Sequence, residues 1–281
     1  MDRFAQMTVD GVSKSFGPQH RRHVAVDAVT LEVTPGSRIG VVGESGSGKS
    51  TLARMMVGLD APSAGSISFN GAPLRGLLKL RASRLELRRE VQFVAQDTTS
   101  SFDPLRTLRD SIRTPAQRLG GLDRRAADTR VDATVSMLGL APELADRHPG
   151  EVSGGQRQRF AIARALVVEP NLLVCDEVVS ALDVSVQGSI LNFLKRYCVE
   201  RDAALVFVSH GLPATAFVCE RLVVMRGGQI VEDGPTSAVL NSPRHDYTRS
   251  LLAAFRGPAA AGAARTSAQL PAPANAQEGP A

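Results

Sequence analysis

Gly43-Glu44-Ser45-Gly46-Ser47-Gly48-Lys49-Ser50, followed by Thr51, decides how this chain reads. The stretch fits the pattern GxxxxGK[ST], and its surroundings give it weight. Arg-Ile-Gly-Val-Val at 38–42 reads as a short buried strand before it, and residues 51–57 open a helical pattern after it. The glycines let the backbone curl so that successive N–H groups face a phosphate, and the helix N-terminus adds its positive dipole end. Lys49 is expected to neutralise β/γ-phosphate charge and the Ser50 hydroxyl to ligate Mg²⁺. The plain alternative is a flexible Gly/Ser turn before a helix. Strand, lysine and hydroxyl in this order argue against it.

Working outward, Leu172-Leu173-Val174-Cys175-Asp176-Glu177 is an apolar strand that delivers two adjacent carboxylates at its C-terminal end. Asp176 is expected to reach Mg²⁺, directly or through water, and Glu177 to orient and polarise an attacking water. Read plainly, these are two exposed acids ending a strand. Val206-Phe207-Val208-Ser209-His210 is a second such strand. A lone histidine after a strand is more often structural, but on a strand neighbouring Asp176 it is expected to contact the γ-phosphate. Gln96 ends a strand candidate at 91–95 and is expected to ligate the metal or the water. Val152-Ser153-Gly154-Gly155-Gln156 is a Ser-Gly-Gly turn opening a helix, hence a second anion site. It has no lysine of its own, which suggests a composite site completed by another chain.

Around these motifs the first third reads as short strands, with 24–33 closed by Pro35-Gly36 and 66–69 closed by the hairpin signal Asn70-Gly71. Residues 97–152 carry Arg, Asp, Ala and Leu at helical spacing and read as a mainly helical insert. Beyond it, helices at 156–168 and around Ile190, Leu194 and Cys198 alternate with strands at 172–175 and 204–208, and Gly227-Gly228 joins a final hairpin. Such alternation argues for a mainly parallel sheet covered on both faces. Residues 257–281 hold ten Ala, four Pro and three Gly with Leu270 the one large apolar side chain, and read as a disordered tail.

Composition narrows the classes. The 281 residues include 33 Lys+Arg and 28 Asp+Glu, for a net charge of +5, with 43% apolar residues. That balance excludes global disorder and provides a real core. No apolar run approaches the ~20 residues of a transmembrane helix, and the N-terminus shows no secretory pattern. Cys175, Cys198 and Cys219 form no CxxC pair and read as reduced core thiols of a cytosolic protein. The segment 75–90 has six basic residues against two acids and reads as a solvated helix face with Glu–Arg pairs. With no Trp and two Tyr in the chain, stacking on single-stranded nucleic acid is poorly supported and no nucleic-acid partner is expected.

Taken together, the ordered motifs at 43–50, Gln96, 153–156, Asp176-Glu177, Ser180-Ala181-Leu182-Asp183 and His210 resemble the ATP-binding subunit of ABC transporters over about 9–254. The resemblance implies an α/β P-loop NTPase (RecA-like) core with an N-terminal antiparallel β subdomain and a helical insert subdomain, the whole running from 7 to 254. It implies ATP and Mg²⁺ as ligands and hydrolysis of ATP coupled to transport. It further implies a head-to-tail dimer in which each ATP lies between the P-loop of one subunit and the Ser153–Gln156 turn of the other. Phe16 stands where the family has an aromatic that stacks on adenine, and Asp183 matches the loop that links the two sites.

Within the family, Gln96-Asp97 with Ser100-Ser101-Phe102-Asp103-Pro104, and the ending Ser242-Pro-Arg-His-Asp-Tyr247-Thr-Arg-Ser-Leu-Leu252, look like the peptide/nickel importer branch. That branch implies a second ATPase subunit, identical or paralogous, two membrane permeases, an external solute-binding protein, and a location on the cytoplasmic face of the membrane. Motion is expected to reach the permease near residues 98–105. Val178, Val152 and Gly211 depart from the usual Pro, Leu and Asp, and the alanine-rich ending lacks the branch's cysteine-containing extension. Two alternatives stay open: an ATP-binding regulatory or assembly subunit of low activity, and a soluble ABC ATPase acting on nucleic acid.

Overall fold

The computed structural model describes residues 6–18, 20, 22–98, 100–180 and 182–256. Ala181 and the 257–281 segment named above lie outside them.

Strands β1 (Met7–Phe16), β2 (His23–Val33), β4 (Ala64–Phe69) and β5 (Ala72–Pro73) form an antiparallel sheet in the order β2-β1-β4-β5. The second sheet runs β10-β9-β3-β8-β7-β6, built from β3 (Arg38–Val42), β6 (Val91–Val94), β7 (Leu172–Asp176), β8 (Ala204–Ser209), β9 (Arg221–Arg226) and β10 (Gln229–Pro235). Five of these strands are parallel and β10 pairs antiparallel at one edge. The expected hairpins form: Asn70 and Gly71 take φ of 49° and 76°, and Gly227 and Gly228 take 55° and 86°.

The parallel strands are continuous apolar runs because both faces are covered. Side chains alternate between faces. Leu172, Val174, Val206 and Val208 enter a core shared with the antiparallel sheet and helix α1 (Lys49–Met56). Leu173, Cys175, Leu205 and Phe207 enter a second core against the helices. Those helices are α4 (Leu108–Arg118), α5 (Arg124–Met137), α6 (Gly154–Leu166), α7 (Val184–Arg201) and α8 (Leu212–Val218), after the short α2 (Leu74–Leu77) and α3 (Arg81–Glu90). A third core under β9 receives α9 (Thr236–Asn241) and α10 (Asp246–Arg256).

One detail corrects the sequence reading and two add to it. Residues 100–105 form turns, and the first helix of the insert starts at Leu108, behind the cap of Thr107. Phe102 of that loop is buried under the Arg164 guanidinium of α6, 4.4 Å from its ring centroid, and Arg164 also donates to Ser101 O. Among the described residues, no Glu–Arg ion pair forms within α3, and Glu90 instead accepts from Asn171 Nδ2. Strand β1 carries a bulge at Gly11, φ 54°, which shifts its register between Val9 and Val12.

The three cysteines are buried and unpaired. Burial pushes all three thiols up, Cys198 to about 12.

Candidate nucleotide-binding site

The parallel strands all end at one edge, and the candidate residues lie on the loops that leave it. β3 runs into the 43–48 loop and then α1, whose first residue is Lys49. Gly48 sits at φ 100°, and a Cβ there would lie 2.2 Å from Ala25 O, so only glycine lets β2 pass this close. Lys49 is buried. Its Nζ donates to Gly43 O (2.9 Å), Glu44 O (2.7 Å) and Ser47 Oγ (3.3 Å), which curls the loop around the ammonium. Burial pulls this ammonium below the ordinary lysine value, opposed by the fields of Glu177, Asp176 and Glu44.

β7 ends in Asp176, which is buried and accepts from Ser50 Oγ at 3.0 Å. Burial pushes its carboxyl up, against the Ser50 hydrogen bond, and neighbouring Glu177 pushes the same way. Glu177 follows with φ 51°, a left-handed backbone that costs a non-glycine residue on the order of 1 kcal/mol or more. Its N–H is held by Val208 O at 2.9 Å, which fixes the turn. The carboxylate is then gripped at both oxygens: Gln96 Nε2 donates to Oε2 at 2.7 Å, and His210 Nδ1 lies 3.3 Å from Oε1. These groups come from the ends of β6, β7 and β8, three neighbours in the sheet.

A cleft of about 450 Å³ opens at this edge. Its lining includes Phe16, Ser45, Gly46, Gly48, Lys49, Ser50, Thr51, Gln96, Glu177 and His210. His23 and Ala25 complete the wall. Sequence reasoning missed both, because neither carries a motif. Phe16, at the end of β1, is 44% exposed with Lys14 Nζ 5.2 Å from its ring centroid. An exposed ring at a cleft mouth suits stacking on a flat base.

The expected Ser153–Gln156 turn does not line this cleft. Ser153 caps α6 through a reciprocal box: its Oγ accepts from Gln156 N at 3.2 Å, and Gln156 Oε1 accepts from Ser153 N at 2.9 Å. Ser153 and Gly154 are exposed. Asp183, also exposed, sits at the N-cap of α7 with no side-chain cap bond. Of the three departures, Val178 and Val152 are buried, and the Gly211 N–H donates to Ser209 Oγ at 2.9 Å.

Ser50 and Asp176 form a hard-oxygen pair suited to Mg²⁺, whose remaining ligands usually come from phosphate and water. Among the described residues, no cluster of three or more His, Cys, Asp or Glu side chains could hold a metal by itself. Nor is any described helix long and apolar enough to cross a membrane.

The fold and this edge define a P-loop nucleoside-triphosphate-binding protein of the α/β class. The chain belongs to the ABC transporter family, whose pattern matches residues 26–180. A Brucella abortus (strain 2308) protein named for peptide import ATP binding is 43% identical over 228 residues, covering 81% of this chain and 68% of that protein. The glutathione import ATP-binding protein GsiA of Escherichia coli (strain K12) is 45% identical over 232 residues, 82% of this chain but only 37% of GsiA. Among solved structures, dimeric MJ0796, a bacterial ABC transporter cassette, superposes with a TM-score of 0.77 at 26% identity, covering 82% of this chain and 98% of that one. MJ0796 in a post-hydrolysis state with ADP and Pi gives 0.76 at 26% identity over the same shares.

Proposed function

We propose that this chain hydrolyses ATP as the energising subunit of a membrane importer, with small peptides as the transported class. One observation carries the catalytic part: the Glu177 carboxylate is held between Gln96 and His210 on the wall of a cleft that the phosphate loop also lines. The cassette spans 7–254, with 97–152 as its helical insert.

The amides of residues 43–51 and the Lys49 ammonium bind the triphosphate. Mg²⁺, held by Ser50 and Asp176 with Gln96 near, would neutralise phosphate charge when bound. Glu177 polarises a water for attack on the γ-phosphorus, and Gln96 and His210 fix the direction in which its carboxylate faces. Lys49 and His210 meet the charge that develops on the phosphoryl oxygens. Glu177 and His210 side by side favour turnover over a purely regulatory subunit.

The exposed Ser153 and Gly154 at the start of α6 support a head-to-tail pair in which each chain offers this turn to its partner's nucleotide. The dimeric MJ0796 cassette is in keeping with that arrangement. The importer reading adds two membrane permeases, reached near residues 98–105, and places the chain at the cytoplasmic face. The relatives' names favour peptides over nickel as the solute.

The test is Glu177→Gln. MgATP binding should persist, hydrolysis should fall at least ~10²-fold, and light scattering should find a dimer that persists in MgATP. Near-wild-type turnover removes Glu177 as the base and overturns the mechanism.

A further inference from the structure

We infer that Tyr247 is a positioning residue of the phosphate loop, and that α10 is through it part of the nucleotide site. The inference rests on the cleft being an ATP site. The Glu44 N–H donates to Tyr247 Oη at 2.8 Å across 203 positions of sequence. The carbonyl of the same peptide, Gly43 O, accepts from Lys49 Nζ at 2.9 Å. The Gly43–Glu44 peptide plane is therefore pinned from both sides, by Tyr247 on one edge and Lys49 on the other.

The two clasps are not equivalent. An ammonium has three protons, and those of Lys49 meet Gly43 O, Glu44 O and Ser47 Oγ within the loop. When Lys49 turns to a phosphate it gives up part of this grip. Tyr247 binds no phosphate and stays.

Its own position is fixed by several contacts. The Arg226 guanidinium lies 4.9 Å from the Tyr247 ring centroid. Arg226 ends β9, and two residues on, the Gly228 N–H donates to Ser47 O at 3.1 Å, so the same corner braces the loop a second time. The entry to α10 is tied to β10, because Glu232 accepts from Arg244 N (2.8 Å) and His245 N (3.1 Å). Leu252 of α10 is buried in one cluster with Val42, the residue before the loop, and Tyr247 packs on that cluster.

A loop held ready in its binding shape binds more tightly by the fraction of time it is in that shape. Tyr247→Phe keeps the ring and removes the hydroxyl, and the loss of one such hydrogen bond corresponds to about a 3- to 10-fold weakening.

The experiment uses the full 281-residue chain. Calorimetry with MgATP and with ADP should give dissociation constants raised ~3- to 10-fold in Tyr247→Phe, by the same factor for both, since the contact acts on the loop and not on the γ-phosphate. KM should rise in step, while kcat at saturating MgATP stays within about twofold. Ile112→Ala is the comparison: it opens the buried core of α4, away from the loop, and lowers Tm but should leave KM unmoved.

Unchanged affinity in Tyr247→Phe overturns the inference, as does a fall in kcat with KM fixed. So does a KM rise in Ile112→Ala matching that of Tyr247→Phe, which would make the effect one of general destabilisation. If the wild-type chain binds no MgATP, the ATP reading falls and the inference with it; if wild type binds and only the Tyr247 effect is missing, the inference falls alone.

Discussion

Ser50 Oγ donates to Asp176 Oδ1 at 3.0 Å, joining the first turn of α1 to the end of β7 across 126 positions of sequence. Their strands are not neighbours, since β8 lies between β3 and β7. The hydroxyl projects from the helix start and the carboxylate from the strand end, and the two meet over the sheet edge. Burial disfavours the Asp176 anion, and Ser50 and Lys49 oppose this only in part. A cation at this pair would add the positive charge that a buried carboxylate lacks.

Asp176→Asn keeps the shape and a partner for Ser50 but removes the charge. The magnesium concentration for half-maximal ATP turnover should rise ~10-fold or more. A magnesium titration of ATPase rate checks this, and an unchanged midpoint excludes Asp176 as a cation-holding group.

Gly46 and Gly48 both have positive φ, 80° and 100°, but their surroundings differ. A Cβ on Gly46 meets nothing within 4 Å, whereas one on Gly48 meets Ala25 O at 2.2 Å. Gly46→Ala should therefore cost only the left-handed strain, about 1–2 kcal/mol. Gly48→Ala should cost clearly more and weaken MgATP binding, because either the loop or β2 must shift. Urea unfolding and calorimetry on both variants check the ranking; equal losses would contradict it.

Ser153→Ala removes the acceptor of the Gln156 N–H and should cost about 1 kcal/mol of stability. Because the 153–156 turn does not line the chain's own cleft, the affinity of the monomer for MgATP should not change. In the Glu177→Gln background, however, the ATP-held dimer should dissociate at higher protein concentration. Analytical ultracentrifugation in MgATP measures both, and a dimer of unaltered strength argues against the shared site.

Arg109 ties the insert together, donating to Asp146 Oδ1 at 2.5 Å and Asp132 Oδ1 at 2.6 Å. The hydrogen bond from Arg109, helped by its charge and that of Arg113, holds the Asp146 carboxyl below the usual value. The folded chain thus binds this proton less readily than the unfolded one. The stabilisation is complete above the unfolded value, near ~4, and is lost as pH falls through the lower folded value. The Asp146 side chain is 61% exposed, so solvent screening keeps its share below about 1 kcal/mol. Arg109→Met should lower stability at pH 7 and flatten its decline below pH ~4, read from Tm against pH. A parallel downward shift of the whole profile would show that Asp146 plays no part.

The chemistry-bearing residues were legible because each sits beside a local structural signal. Lys49 and Ser50 follow a glycine loop between strand and helix, Asp176-Glu177 end an apolar run, and Ser153 stands three residues before a glutamine at a helix start. Periodicity is a property of a few successive residues, so β3, β7, β8 and α6 could be read to within a few positions. Strand β1 was harder, since the Gly11 bulge shifts its alternation midway. Residues 100–105 have the composition of the insert, but Phe102 held under Arg164 makes them a packed loop.

By itself, then, the sequence determined which residue types are present, in what order, and which short stretches turn, extend or coil, because those depend on neighbours along the chain. Only the tertiary structure decided which ends meet. The order β3-β8-β7-β6 brings Gln96, Glu177 and His210 onto one cleft, and the third core sets Tyr247 against Glu44. Such pairings span 81 residues for Gln96–Glu177 and 203 for Glu44–Tyr247. They follow from how two sheets and three cores pack together, which no local stretch of sequence encodes.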